Sequence, residues 1–149
     1  MAILTGTYEC KLDAKARVMI PAPLKKQFAD VEKGFVLKRS IFSSCLELYP
    51  MSEWEQMMQK INGLNRFSKE NNDFIRRFTA GVKIVEVDAS GRFLIPKDLM
   101  QFAKIDKEIV LTAIGAIVEV WDKELYEKTI EDTSVDFAEL AEKVMGGNL

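Results

Sequence analysis

The sequence predicts a mixed α/β, β-rich fold in which two internal repeats with flanking helices interlock into one pseudo-symmetric unit. Three observations point there. The stretch Asp13-Ala14-Lys15-Ala16-Arg17-Val18-Met19-Ile20-Pro21-Ala22-Pro23-Leu24 returns 75 residues later as Asp88-Ala89-Ser90-Gly91-Arg92-Phe93-Leu94-Ile95-Pro96-Lys97-Asp98-Leu99, with six of twelve positions identical. The segments around the two copies follow the same order of strands and helices. Each half has too few strands to close a core alone, so the halves are expected to complete one another.

Each copy reads as strand, tight turn, strand, helix. Residues 8–12 and 82–87 are strand-like runs entering the turns. An Asp at the head of the turn accepts from backbone N–H groups just ahead of it, and Gly91 tolerates positive φ, so both turns read as hairpin loops. The first copy has Ala16 in place of that glycine. A left-handed Ala16 costs roughly 1–2 kcal/mol, and another turn type would avoid that cost. The apolar triplets Val18-Met19-Ile20 and Phe93-Leu94-Ile95 leave the turns, and Pro21 and Pro96 stop the strands and open helices. Leu24, Phe28 and Ala29 are placed inward on the first of these helices, and Leu99, Phe102 and Ala103 on the second.

Further strands are expected at residues 35–37 and 45–49, with a turn at 40–44, and again at 109–111 and 117–121. Glu47 and Glu119 hold equivalent places, as do Tyr49 and Trp121. A helix follows each pair. In the first half Ser52 and Glu55 have capping-box spacing, and Trp54, Met57, Met58 and Ile61 form an apolar stripe suited to core packing. Residues 122–130 are its counterpart. Between the halves, Ser68 is placed to cap a helix running to Thr79, with Phe74, Ile75 and Phe78 on one face, Arg76 and Arg77 near its end, and Gly81 to stop it. A last amphipathic helix is expected at 135–144. The chain therefore divides into a first repeat at 1–62, a bridging helix at 63–81 and a second repeat at 82–149.

Composition narrows the function. The chain has no histidine and two distant cysteines, Cys10 and Cys45, which removes Ser-His and Cys-His nucleophile pairs and zinc sites of the usual donor set. There is no Gly-rich phosphate loop and no clustered carboxylate pair, so the chain is read as a non-enzyme without cofactor, metal or small-molecule substrate. Few cysteines, no leader-like segment and no long apolar run point to the cytoplasm and to no membrane partner. Net charge is −2, but residues 1–118 carry 18 basic and 14 acidic side chains, against 3 and 9 in residues 119–149. The acid is concentrated in the C-terminal part, which leaves room for a basic surface elsewhere.

Within the repeated motif the cations stand out. Asp13 with Arg17, and Asp88 with Arg92, either brace their turns or hold an arginine for a ligand, and the motif alone does not separate the two. Recurrence suits both.

The paired Asp-x-x-x-Arg turns, each followed by an apolar triplet and Ile-Pro, resemble the MraZ family. So do Leu46-Glu47-Leu48-Tyr49-Pro50 with Glu53-Trp54-Glu55, Val118-Glu119-Val120-Trp121-Asp122, and the bridging Phe78-Thr79-Ala80-Gly81. A single copy would also fit the wider AbrB-like group. The resemblance implies a swapped-hairpin, double-split β-barrel built from both repeats. It implies ring-like homo-oligomers and a nucleoid-associated regulator, usually a repressor, that binds repeated boxes in the promoter of the division and cell-wall gene cluster. It carries over Asp13, Lys15 and Arg17 in the first motif, and Asp88 and Arg92 in the second. Two departures stand out: Ala16 replaces the family's glycine, and Ser90 replaces its lysine in the second copy.

A DNA role is also open to direct argument. A two-stranded ribbon fits the major groove, and an arginine donating to guanine O6 and N7 discriminates by about 1–3 kcal/mol. Arg17 and Arg92 are the candidates for this, with Lys15 at the tip and Lys11 and Lys83 as weaker cations near the turns; Asp13, Asp88 and Gly91 shape the turns. The rival reading is a protein-interaction or assembly module that makes no contact with DNA and in which the Asp–Arg pairs are braces alone.

Overall fold

The structure is a computed structural model, and residues 3–146 are described. Eight strands and six helices follow one another as β1 (Thr7–Lys11), β2 (Arg17–Met19), α1 (Ala22–Lys25), β3 (Phe35–Arg39), β4 (Leu46–Pro50), α2 (Met51–Asn62), α3 (Lys69–Thr79), β5 (Lys83–Val85), β6 (Arg92–Leu94), α4 (Lys97–Ala103), β7 (Glu108–Ile114), β8 (Ile117–Asp122), α5 (Lys123–Ile130) and α6 (Phe137–Met145). A short 3-10 turn, Val31–Lys33, leads into β3.

The halves interlock through their strands. The main sheet has six antiparallel strands in the order β1-β7-β8-β4-β3-β5. Its edge strand β1 comes from the first half but pairs with β7 of the second, Tyr8 opposite Leu111. The other edge, β5, comes from the second half and pairs with β3 of the first, Val36 opposite Ile84. Strands β2 and β6 form a separate two-stranded ladder centred on Val18 opposite Phe93. The β4–β8 ladder is centred on Glu47 opposite Glu119. At both centres a residue faces its own repeat equivalent, as an internal two-fold axis requires. The hydrogen-bonded order is an open six-stranded sheet beside that ladder; no closed barrel is formed by backbone bonds among the described residues.

Alternation of side chains along the strands builds the core. Phe35 and Leu37, Leu46 and Leu48, Ile109 and Leu111, and Val118 and Val120 turn one sheet face inward. Val18, Ile20, Phe93 and Ile95 close over it from the small ladder, all at most 3% exposed, with Leu24 and Leu99 beside them. Burying such a side chain contributes about 1.5–3 kcal/mol, so the ladder is anchored by its inner face. A smaller cluster of Cys45, Val110 and Trp121, covered by Leu125 and Tyr126, sits on the opposite face.

Four sequence expectations are corrected. Strands 1 and 2 are not a paired hairpin: beyond the bond from Asp13 N–H to the Arg17 carbonyl they part, because β1 spends its backbone groups on β7 and β2 on β6. The first helix has only four residues, so Phe28 is buried after its end and Ala29 is exposed. The Ser52–Glu55 capping box does not form, because the helix begins at Met51 with Pro50 as its cap residue, two residues earlier than a Ser52 cap requires. The strand at 82–87 shrinks to the three residues of β5. The Ser68 cap is present, its hydroxyl accepting from Asn71 N–H at 3.2 Å.

Candidate nucleic-acid interface

The two Asp-x-x-x-Arg turns have one geometry. Asp13 O accepts from Ala16 N–H at 3.0 Å and Asp88 O from Gly91 N–H at 2.9 Å, and each turn is closed by the Asp N–H donating to the Arg carbonyl. The fourth residue is left-handed in both, Ala16 at φ 60° and Gly91 at φ 85°. This is a tight turn followed by a one-residue bulge, a geometry that glycine meets without strain and alanine does not.

The Asp carboxylates hold the turns from inside. Asp13 Oδ1 accepts from Lys15 N–H and Arg17 N–H, both at 2.9 Å, and Asp13 Oδ2 accepts from Arg17 Nε at 2.8 Å. Asp88 repeats the set with Ser90 N–H at 2.9 Å, Arg92 N–H at 3.0 Å and Arg92 Nε at 3.2 Å. The backbone N–H of the following arginine is the main reason each carboxyl is held below its usual range, with its guanidinium adding to the effect.

Bracing therefore takes the Nε edge of each guanidinium and leaves donors over. Arg17 keeps both Nη groups without a protein partner among the described residues. Arg92 extends one Nη towards Asp13, 3.5 Å away, so the two turns are tied together through that carboxylate. Strand alternation in the β2–β6 ladder sends Val18 and Phe93 inward and leaves Arg17, Met19, Arg92 and Leu94 on the outer face. Met19 and Leu94 are each 51% exposed, and the arginine side chains stay about 30% exposed. The outer face is a small ribbon with two oriented arginines and two apolar side chains, chemistry that suits guanine edges and thymine methyl groups.

The other sequence candidates are placed differently. Lys15 is exposed at the tip of the first turn. Lys11 is exposed at the end of β1, opposite Glu108 in the ladder. Lys83 stands 3.2 Å from the Asp98 carboxylate, so its charge is already partnered. Sequence reasoning missed Lys25. The Lys25 ammonium lies 3.3 Å from where a Cβ on Gly91 would stand, so a cation from the first repeat hangs over the turn of the second. It occupies the neighbourhood where Ser90 lacks the lysine of the first copy. Nothing local in the sequence announces this, since the placement depends on packing across the internal two-fold. The outward pair Met19 and Leu94 was legible as strand alternation.

Two elements of similarity extend beyond geometry. The family model described as "MraZ protein, putative antitoxin-like" matches this chain twice, at residues 3–77 and 78–147. The protein named Transcriptional regulator MraZ from Flavobacterium psychrophilum is 65% identical over 147 residues, which is 98% of this chain and 94% of that protein. Those of the same name from Christiangramia forsetii and Cytophaga hutchinsonii are 64% identical over 149 residues and 41% over 145. These cover 99% and 97% of this chain, and 96% of each relative. Fold and motif define a two-repeat protein with paired, carboxylate-braced arginine turns. The chain belongs to the MraZ family.

Proposed function

We propose that the chain is a sequence-specific DNA-binding transcription regulator, a repressor of the division and cell-wall gene cluster, acting in the cytoplasm on the nucleoid. The observation that carries this is the outer face of the β2–β6 ladder: two partly exposed arginines whose Nε edges are fixed by Asp13 and Asp88, with both Nη groups of Arg17 and one of Arg92 unpartnered among the described residues. Fixing a guanidinium before binding lowers the ordering cost of a bidentate contact with guanine. Lys15 and Lys25 flank the face as phosphate contacts, Lys11 lies further out, and Lys83 contributes least because Asp98 holds it. The names of the relatives support the same reading.

The exchanged edge strands support a swapped-hairpin arrangement. On this reading it is a double-split barrel whose last side closes by packing of the β2–β6 ladder over the sheet rather than by hydrogen bonds. One such face gives affinity in the non-specific range, about 10⁻⁴–10⁻⁶ M at physiological salt. A ring-like homo-oligomer gripping boxes spaced about 10 bp apart multiplies it by roughly 10²–10⁴.

The test is a gel-shift titration on the DNA upstream of the protein's own gene. Arg17→Ala weakens binding about 10–100-fold, more than Arg92→Ala, because neither Nη group of Arg17 has a partner among the described residues while one of Arg92's already reaches Asp13. Equal losses, or a greater loss from Arg92→Ala, contradict the asymmetry, and no shift by the unaltered protein contradicts the reading. The exposed apolar pair Met19 and Leu94, on the arginine face itself, favours the protein-interaction alternative, which predicts no duplex binding at any salt.

A further inference from the structure

Away from the arginine face, two larger apolar surfaces of the described chain lie open. The first is a groove of about 710 Å³ between the β3–β4 turn, the end of α3 and α4, lined among others by Ile41, Phe42, Phe74 and Phe102. Phe42 stands 89% exposed at its rim. The groove is edged by cations. Arg77 makes no ion pair among the described residues, while Arg39 lies over the Phe102 ring with no carboxylate against it. The acid of the groove, Asp73, is already taken by Arg76 at 3.0 Å and Lys69 at 3.1 Å.

The second surface is α6. Its stripe of Phe137, Leu140, Ala141 and Val144 has helical spacing, yet no residue of the helix is buried; Phe137 is 76% and Val144 70% exposed. Residues 131–146 carry five acids and one lysine. The stripe spans about 10 Å of helix axis and presents three large side chains, the spacing by which amphipathic helices lie in apolar grooves.

We propose that α6 of one copy docks in the β3–β4/α3 groove of the next copy. This rests on the homo-oligomer in the reading above and supplies its interface. The charges decide the occupant: an amphipathic helix carried by an acidic terminal segment meets an apolar groove whose unpaired charges are arginines, and both surfaces belong to this chain. Joining a helix to a groove elsewhere on the molecule is a heterologous contact, which generates a ring when its rotation closes. The interface lies on different residues from the arginine face, so assembly and DNA contact are separable by mutation.

The test is sedimentation velocity on the full chain. The unaltered protein sediments as an oligomer, and Leu140→Glu with Val144→Glu reduces it to a monomer that keeps the far-UV circular dichroism spectrum of the unaltered protein, since neither side chain is buried in the subunit. Arg77→Glu weakens association at least tenfold, and Arg17→Ala leaves assembly intact. In a Cys10→Ser background, mixing a Phe42→Cys chain with a Val144→Cys chain gives a disulfide between copies. An unaltered protein that is monomeric overturns both this interface and the oligomer it rests on. An oligomer that survives the double variant overturns the interface alone. A disulfide that forms only within a chain carrying both cysteines places α6 on its own subunit and likewise overturns it.

Discussion

Ala16 carries a left-handed backbone at φ 60° in a turn whose counterpart uses Gly91 at φ 85°. Relief of that strain, offset by glycine's larger unfolded-state entropy, makes Ala16→Gly stabilising by about 1 kcal/mol. For a chain of 149 residues the thermal midpoint then rises by about 2–4 °C. A fall in the midpoint on calorimetry contradicts the turn geometry. The turn chemistry was legible in the sequence because Asp13, Lys15, Ala16 and Arg17 are chain neighbours whose bonds form within four residues. Lys25 over Gly91 was not, because those residues meet only after the two repeats have packed.

At the scale of elements, register brings charges together inside the molecule. The β3–β4 pairing sets Lys38 opposite Glu47, with Lys38 fully buried under the Phe78 ring and its ammonium 3.3 Å from Glu47 Oε1. Burial pushes the Lys38 ammonium down in pKa and the Glu47 carboxylate pushes it back up. Glu47 also faces Glu119, which is satisfied by Trp121 Nε1 at 2.9 Å. Glu47→Gln strands the fully buried cation and destabilises by about 3–5 kcal/mol, while Lys38→Met costs less, because the Glu47 carboxylate it leaves is partly exposed and keeps the Tyr49 hydroxyl beside it. Denaturant midpoints of the two variants check this; a milder effect from Glu47→Gln than from Lys38→Met contradicts it. Strand positions and the bridging helix were readable from periodicity and from the Ser68 cap. Strand partners were not. The pairing of Thr7 with Thr112 joins residues that sit far apart in the chain, and no local pattern encodes it. Hence the adjacent strands around each turn were expected to form hairpins, and the structure pairs them elsewhere.

For the whole molecule, charge and symmetry act together. An internal two-fold sets both turns on one face, with Arg92 tied to Asp13 of the other repeat. The net charge of −2 hides a chain whose acid is gathered towards its end, away from that motif in sequence. Such a molecule is not attracted to DNA in bulk, so the proposed binding rests on the few cations of the arginine face, repeated across the proposed assembly. The doubled motif made the candidate site visible in the sequence. The open groove and the unburied α6 became visible only as surfaces of the folded chain. The central claim is that the outer face of the β2–β6 ladder grips a duplex, and the salt dependence of duplex affinity tests it most directly. With Lys15, Arg17, Lys25 and Arg92 in contact, log K falls linearly with log salt with a slope near −0.9 for each phosphate neutralised. Lys15→Ala or Lys25→Ala flattens that slope by about one such increment per binding face. Affinity that does not change with salt, or a slope that both lysine variants leave untouched, contradicts the account.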